Sequence, residues 1–396
     1  SLGDRLGLPV YGDRKPRLMF RKKIAYVLVR IILWVILPLV CVEFVMIVLD
    51  PYLFKNFYEY DPDLGFRVRA YAPGADGALT NQFGFNDRDY PLQKTPGTTR
   101  LLVLGDSFGW AGGRDGNYTA LLERMFERRD GQHKIDVINA CYPATHPGDQ
   151  LALLKKYGLQ YDPDVVMLGF FVGNDFLAVP GRKRIIVNGL YVYVNRNAEY
   201  KFLGYPIIPQ SRLYLFVKQQ YRVYTESKRA AEMGQYLPGQ GLTLSEETFL
   251  EIERARLEFF NVNPSARGSF QPGIDYVLQS ISEMDAILRA RGAKFVVAIY
   301  PDEFQVNKSL LKRIFEKYEL RAEDYDLNRA QNLLKSFLRS KGIPFVDLTD
   351  RFRAEGDKRE LYILRNTHWN DAGNQFAANV LFEGLPRQVE SLNPAR

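Results

Sequence analysis

The sequence predicts a doubly wound α/β domain on a parallel sheet, preceded by an apolar helix near the N-terminus. Short, almost continuously apolar runs such as RLLVLGDSF and PDVVMLGFFVGND alternate with amphipathic segments such as NYTALLERMFERR. Such runs are typical of strands that are buried on both faces, as in parallel sheets. The βα alternation occupies residues 98–180 and returns over residues 268–396, so we expect these two stretches to form one domain.

Five runs are typical of strands in this sheet, and four amphipathic segments lie between or beside them. The strands are RLLVLGDSF, KIDVINA, PDVVMLGFFVGND, AKFVVAIYP and PFVDLT. The helices are NYTALLERMFERR, DQLALLKKYGLQY, IDYVLQSISEMDAILRARG and NRAQNLLKSFLRSKG. A last helix is expected to begin at about Asp371.

Residues 181–267 interrupt this alternation and are expected to form an insertion. The run RIIVNGLYVYV has two β-rich halves about an Asn-Gly pair, which predicts a hairpin. An aromatic helical stretch, SRLYLFVKQQYRVYTESKRAAE, and a glycine-rich linker follow. Ser245 is then the expected N-cap of a further helix, SEETFLEIERARLEFF.

Residues 24–49 form an apolar stretch of 26 residues. About 20 apolar residues are enough to cross a bilayer core, so we expect a single transmembrane helix. A buried core helix and a signal peptide are the alternatives. A signal peptide has a shorter apolar region and ends at small residues, which do not follow Leu49. Pro38 predicts a kink in this helix.

The charges around this helix predict its orientation. Residues 1–23 hold seven basic and two acidic side chains and so carry +5 of the net charge of +7. By the positive-inside rule, we expect this basic tail in the cytoplasm and the main domain outside it. The rest of the chain has a net charge of only +2, which gives no support to nucleic-acid binding. Residues 50–97, rich in Pro, Gly, Asp and Tyr, are expected to form an extended lead-in.

Two charged residues, Arg30 and Glu43, interrupt the apolar stretch. Both are close enough to an end of the helix for their charged groups to reach the membrane surface. Glu43 has a second interpretation, a contact with a partner membrane protein, because carboxylates inside membranes usually have polar partners.

Three polar residues stand at the strand ends or helix starts where an active site is expected. Ser107 ends the first strand in Gly-Asp-Ser, Asn174 ends the third in Gly-Asn-Asp, and His368 precedes the last helix in LRNTHWNDAG. The carboxyl ends of parallel strands meet at one edge of the sheet, where ligands bind. A serine there can act as nucleophile, an Asn amide can donate to an oxyanion, and a neutral histidine can act as base. Each also has an ordinary structural role, as helix cap, turn residue or packed histidine.

The order of these motifs resembles the SGNH (GDSL-type) hydrolase family over roughly residues 60–396. The stretches TNQFGFNDRDYP, LGFFVGNDF and AIYPDEFQV look like a membrane-anchored bacterial subgroup, related to enzymes that remove or transfer O-acetyl groups on envelope polysaccharides. The resemblance implies a flavodoxin-like three-layer fold. It also implies Ser107 as nucleophile, His368 as general base, and Asn174 with the backbone N–H of Ser107 in the oxyanion hole.

The acid of the family's triad is not found at its usual place. It usually precedes the histidine by two or three residues, where this chain has Asn366 and Arg365. An Asn carbonyl can orient the histidine, but Asp-to-Asn substitution in a Ser-His-Asp triad costs about 10⁴ in rate. Carboxylates that could replace the acid in space are Asp302, Asp347, Asp350 and Asp371.

The family's second block, Asn-x-Gly-x-x-Gly, also departs from its pattern. It reads NACYPA, with Cys141 and Ala144 at the glycine positions. The backbone N–H of Cys141 would still contact the oxyanion if φ is negative there, whereas a positive φ would strain the residue. His146 in the same loop either reaches the cleft or, as we expect, lies on the surface. Trp110 and Trp369 are candidates to line a substrate cleft with Cys141.

These features predict an esterase or O-acyltransferase that acts on envelope carbohydrate or lipid esters through acyl-Ser107. The resemblance places it in a bacterial inner membrane, with the main domain periplasmic. The alternative is a binding or scaffold subunit of a membrane complex that keeps the fold without turnover, which Asn366 and the missing glycines favour. A lysophospholipase or thioesterase acting at the membrane surface is a third possibility. No cofactor or metal is expected, because the three histidines are far apart and no P-loop or dinucleotide fingerprint is present.

Overall fold

A computed structural model describes residues 15–53, 57–74, 76–130, 134–187, 190–195, 200–202, 205–207, 211–233, 236–237 and 241–393. The α-helices of these ranges are α1 (Lys15–Ile31), α2 (Leu37–Leu53), α3 (Gly113–Gly116), α4 (Tyr118–Asp130), α5 (Pro147–Lys156), α6 (Arg212–Met233), α7 (Glu246–Leu257), α8 (Pro264–Ala290), α9 (Glu303–Val306), α10 (Lys308–Lys317), α11 (Arg329–Lys341), α12 (Thr349–Gly356) and α13 (Asp371–Gln388). The strands are β1 (Tyr58–Glu59), β2 (Arg67–Val68), β3 (Thr98–Leu104), β4 (Lys134–Asn139), β5 (Val165–Phe171), β6 (Arg182–Val187), β7 (Leu190–Asn195), β8 (Tyr200–Phe202), β9 (Tyr205–Ile207), β10 (Tyr236–Leu237), β11 (Gly241–Leu242), β12 (Lys294–Tyr300) and β13 (Phe345–Asp347).

Five parallel strands form the central sheet in the order β13-β12-β5-β3-β4. Every residue of β3 and β5 is buried, which explains the continuous apolar runs of residues 101–104 in β3 and of the whole of β5. The chain starts in the interior of the sheet at β3 and reverses its direction of growth after β4. This is the doubly wound order, so the predicted α/β fold class is confirmed.

Helices cover both faces of the sheet and complete three layers. Along β3, Leu102 and Leu104 face one core with α5, α8, α10 and α11, while Leu101 and Val103 face a second core with α4, α12 and α13. The alternation follows from the two-residue period of a strand. The predicted last helix begins at Asp371, as expected from the sequence.

The predicted insertion contains the expected hairpin, since β6 and β7 pair antiparallel. The Asn-Gly pair between them, residues 188–189, lies outside the described residues. Ser245 caps α7 as predicted, and its hydroxyl accepts a hydrogen bond from the N–H of Thr248 (3.2 Å). The same helix packs Phe249 and Leu257 into the first core, which ties this end of the insertion to the α/β domain.

An almost continuous helix occupies the N-terminal part of the described chain. The helix Phe20–Val48 contains an 18-residue window with a mean hydropathy of 2.9 and, within the described ranges, is the one helix long and apolar enough to cross a membrane. A π-helical turn, Ile32–Ile36, joins α1 and α2, and Leu37 donates its N–H to the carbonyl of Ile32. Pro38 follows at once and lacks the N–H for a regular helical bond, which accounts for the local change of winding.

Candidate active site

Ser107 lies at the carboxyl end of β3, where a short 3-10 turn, Ser107–Gly109, begins. The carboxylate of Asp106 caps this turn by accepting the N–H of Phe108 (3.0 Å). A Cβ on Gly109 would lie 2.5 Å from the Cβ of Cys141, so only glycine fits at that position. The turn leaves the half-buried Ser107 hydroxyl at the edge of the sheet.

Ser107, His368 and Asn366 form a continuous hydrogen-bonded relay. His368 Nε2 lies 2.7 Å from Ser107 Oγ, and His368 Nδ1 lies 2.7 Å from Asn366 Oδ1. With the proton on Nδ1, the ring donates to the Asn carbonyl and Nε2 accepts from the serine hydroxyl. The arrangement has the geometry of a Ser-His-acid triad with an amide in the acid's place.

The carboxylates that could have replaced the acid lie elsewhere. Asp347 accepts from Lys335 Nζ (2.8 Å), Asp350 lies near Arg353, and Asp371 belongs to the first turn of α13. Asp302 is buried close to Glu253. In the described part of the chain, none of these four carboxylates is hydrogen-bonded to the ring of His368, so Asn366 is its partner.

The surroundings of His368 favour its neutral form. Burial disfavours the charged ring, and the positive charge of Arg256 adds to this effect; together they lower the pKa of His368 to about 4. At neutral pH the ring is therefore unprotonated, as a general base must be. The same low pKa makes it a weak base.

Asn366 is held in a tight turn between two paired residues. Tyr362 and Trp369 pair antiparallel, and the N–H of Ile363 donates to the carbonyl of His368 (2.8 Å). Both neighbours of Asn366 have left-handed backbones, with φ of 52° at Arg365 and 68° at Thr367. Such a φ at non-glycine residues costs about 1–3 kcal/mol, most of all at a β-branched residue, and persists only where surrounding contacts impose it.

A network from α7 supplies those contacts. The hydroxyl of Thr367 donates to Glu253 Oε1 (2.7 Å) and accepts from Arg256 Nη1 (2.7 Å). Arg256 Nη1 also lies 2.8 Å from Glu253 Oε1. Glu253 is fully buried. The burial of Asp302 and the nearby charge of Glu253 raise the pKa of Asp302 well above its usual range.

Sequence reasoning missed this network, although one signal was present. Glu253 lies four residues after Phe249 and four before Leu257, on the apolar face of α7. A charged residue on such a face requires a buried polar partner.

The comparison with known families identifies the domain. Residues 263–396 match the family model of the SGNH hydrolase-like domain of the acetyltransferase AlgX. The chain has an SGNH hydrolase-like fold. No curated protein matches the chain.

Three solved structures illustrate what the SGNH-like chain is similar to. The acetyl xylan esterase AlAXEase is 16% identical, with 72% of this chain and 98% of that chain covered and a TM-score of 0.37. A catalytic mutant of Axe2, an acetylxylan esterase from Geobacillus stearothermophilus, is 11% identical, with 72% and 94% covered and a TM-score of 0.41. TesA is 12% identical, with 74% and 100% covered and a TM-score of 0.39.

Asn174 lies beyond the carboxyl end of β5, where it begins the short 3-10 turn Asp175–Leu177. Burial and the charge of Asp175 raise the pKa of Asp106 to about 7, while the nearby Asn174 side chain favours the charged form of that carboxylate. His146 Nδ1 lies 3.8 Å from Asp175 Oδ1, and the His146 side chain is 21% exposed. The expectation of a simple surface histidine is therefore wrong, because this ring packs beside the loop that carries Asn174.

Cys141 does not have the role that the sequence predicted for it. Its side chain is fully buried, and its N–H donates to Asn139 Oδ1 (3.2 Å), so this donor does not point at an oxyanion. The left-handed backbone of the NACYPA block falls instead on Ala144, with φ of 60°. The missing glycine therefore strains Ala144 and not Cys141.

The two tryptophans differ in position. Trp369 has no exposed surface and packs against Phe108 and Tyr300 in the second core, so the prediction that it lines a substrate cleft is wrong. Trp110 is half-buried, and its indole N–H donates to the carbonyl of Cys141 (2.8 Å). It remains a candidate for the wall of the SGNH cleft.

Proposed function

We propose that this protein is a membrane-anchored serine esterase or O-acyltransferase that acts on carbohydrate or lipid esters of the cell envelope. One observation carries the proposal, the relay of two 2.7 Å contacts that joins Ser107, His368 and Asn366. A serine bonded to a neutral imidazole whose far nitrogen is held by an acceptor is the arrangement needed for acyl transfer.

The reaction would proceed in two steps. Ser107 Oγ attacks the ester carbonyl carbon while its proton passes to His368 Nε2. The tetrahedral intermediate collapses, the bond to the leaving alkoxide breaks, and the imidazolium returns the proton to that oxygen. Water or a sugar hydroxyl then attacks acyl-Ser107 with the same base, which gives hydrolysis or transfer and restores the serine.

Two donors are proposed to stabilise the oxyanion. The N–H of Ser107 is the first of the 3-10 turn and is not needed for bonding within that turn. The side-chain nitrogen of Asn174 has two hydrogens, so it can donate to the oxyanion while its side chain stays beside Asp106. Loss of one oxyanion donor typically lowers the rate by about 10²–10³.

The apolar helix supports anchoring in a bacterial inner membrane. Phe20–Val48 is long enough to span the bilayer, and the basic residues before it favour a cytoplasmic N-terminus. The catalytic domain would then face the periplasm. The family model bears the name of an acetyltransferase, which supports acetyl as the transferred group.

Activity-based labelling of the full chain tests the proposal. A fluorophosphonate probe is expected to label wild-type protein and Ser340→Ala, a control on an exposed serine, but not Ser107→Ala. Hydrolysis of an aryl acetate should follow the same pattern. Equal labelling of Ser107→Ala and wild type would contradict the assignment of the nucleophile.

The alternative is a scaffold subunit that keeps the fold without turnover. The uncharged Asn366 and the low pKa of His368 favour it, because both weaken the base. Failure of the folded wild-type chain to react with the probe or the aryl acetate would favour this alternative.

A further inference from the structure

Glu43 in the apolar helix contacts the chain itself. Its carboxylate accepts hydrogen bonds from Ser211 Oγ (2.6 Å) and from the N–H groups of Arg212 (2.5 Å) and Leu213 (3.1 Å). These N–H groups belong to the first turn of α6, where donors have no partners within the helix and the dipole is positive. The contact satisfies a carboxylate that would be costly within a membrane, without a partner protein.

This contact fixes the start of α6 near the end of the membrane span. Glu43 is five residues before Val48, the last residue of the candidate span Phe20–Val48, and five residues correspond to about 7–8 Å along a helix. Because α6 begins beside Glu43, it begins at the level of the membrane boundary.

One side of α6 is aromatic and exposed, while Arg212 and Leu215 near the start of the helix are buried. Leu215 packs with Ile185 and Val192 of the β6–β7 hairpin. The exposed residues are Tyr214 (57%), Val217 (57%), Tyr221 (68%) and Tyr224 (64%). Their spacing of three, four and three residues places them on one side of the helix. We call these four residues the tyrosine face.

The composition of α6 matches a helix that lies in a membrane surface. Tyrosine is enriched at the boundary between hydrocarbon and headgroups, because its ring is apolar and its hydroxyl polar. The α6 sequence also has five basic and two acidic residues, a balance suited to anionic headgroups.

An apolar groove lies between α6 and the membrane-spanning helix. It is an open groove of about 700 Å³ lined by Leu39, Phe44, Ile47, Leu213 and Val217, and Glu43 is among its polar lining residues. The groove is continuous with the lipid-facing side of the span, so an acyl chain of a membrane lipid is the occupant whose chemistry it fits.

We infer that α6 is an interfacial helix, with its tyrosine face in the outer boundary of the bilayer, a lipid acyl chain in the groove and Glu43 as the link to the span. The inference rests on the membrane anchoring proposed above. It adds a second attachment, which would hold the catalytic domain at a fixed height above the lipid.

Spin labels on the full chain in anionic liposomes test this arrangement. The variants Val217→Cys and Tyr221→Cys report on the tyrosine face, and Lys312→Cys, at an exposed position of α10, is the aqueous control. All three are made with Cys41→Ser, so that the introduced cysteine is exposed and native Cys141 is buried. At both α6 positions, collisions with oxygen are expected to exceed those with a water-soluble nickel chelate, and the control should show the reverse.

A label on native Cys41, which is exposed on the span, separates the two proposals. Lipid exposure at Cys41 together with aqueous α6 labels would overturn the inference and leave the anchor intact. An aqueous Cys41 would overturn the anchor and the inference together. Labels on α6 that are shielded from both reagents would mean that protein covers this face, which also contradicts the inference.

Substitution of Glu43 tests the link itself. Glu43→Leu keeps the span apolar and removes the carboxylate that binds the first turn of α6. The spin label at residue 221 should therefore become more mobile and more accessible to the nickel chelate. Glu43→Gln keeps an acceptor oxygen and should preserve the wild-type depth. An unchanged label in Glu43→Leu would refute the role of this carboxylate.

Discussion

Replacing Asn366 by aspartate changes the charge of the histidine's partner and almost none of its shape. Asn366 Oδ1 lies 2.7 Å from His368 Nδ1, and a carboxylate in the same position would keep this hydrogen bond. Two unit charges about 4 Å apart attract by about 4 kcal/mol at an effective dielectric constant of about 20. Desolvation of the new carboxylate removes part of this gain. A net gain of about 2–3 kcal/mol in the imidazolium-like transition state corresponds to a rise in kcat of about 30- to 160-fold.

The pH dependence of the activity provides an independent test of the same substitution. The base acts only when it is unprotonated, so wild-type activity should fall as the pH drops through the pKa of His368, about 4. A carboxylate at residue 366 stabilises the charged ring and raises this pKa. The acidic limb of kcat/KM in Asn366→Asp should therefore move to higher pH, while the plateau rises.

The assay is aryl acetate hydrolysis by the full chain, with kcat and KM measured across the acidic and neutral range. Asn328→Asp is the matched control, because exposed Asn328 accepts from Arg353 Nη2 (2.8 Å) through the atom that the substitution keeps. This control should leave rate and profile unchanged. If folded Asn366→Asp has an unchanged or lower kcat and an unmoved acidic limb, Asn366 does not hold His368 as described.

Three further predictions concern the same domain. In wild-type protein the acidic limb of kcat/KM should lie near pH 4, because burial and Arg256 lower the pKa of His368 to about that value; a limb near pH 6.5 would contradict this environment. Ala144→Gly should raise the free energy of unfolding, measured in urea, by about 1 kcal/mol, because glycine relieves the left-handed φ of 60°. The control Ala286→Gly, inside α8, should lower the free energy of unfolding by about 1 kcal/mol. Thr367→Val removes the hydroxyl that contacts Glu253. It should lower kcat about 10- to 100-fold with little change in KM, since small displacements of a base are costly. Thr367→Ser should retain activity, and equal rates for the two variants would exclude a positioning role of Thr367.

The fold was predictable because its signals are local. Strands β3 and β5 are buried on both faces, and a continuous apolar run is the direct consequence of that burial. The sequence order of Ser107, Asn174 and His368 likewise indicated one cleft, because parallel strands bring their carboxyl ends to the same edge. The contact between Ser107 and His368 agrees with that expectation.

The details of the site depend on contacts that are distant in sequence. Asn139 Oδ1 accepts a hydrogen bond from the N–H of Cys141, and the motif spacing alone does not reveal this bond. Trp369 was expected to line the cleft, like Trp110. Its pairing with Tyr362 is strand-like, and successive side chains of an extended segment point to opposite sides. His368 therefore faces Ser107, while Trp369 enters the core.

The position of His368 and its basicity are coupled through one guanidinium. Arg256 bonds Thr367 and Glu253 and so supports the strained turn that presents Asn366 and His368. The same positive charge lowers the pKa of His368, and Asn366 opposes it through a hydrogen bond alone, because its side chain has no negative charge. Removing Arg256 would relieve the ring of this charge but release the turn and leave Glu253 buried without its cation. A negative charge at residue 366 would oppose the effect of Arg256 without disturbing the turn, so aspartate at this position separates the two roles.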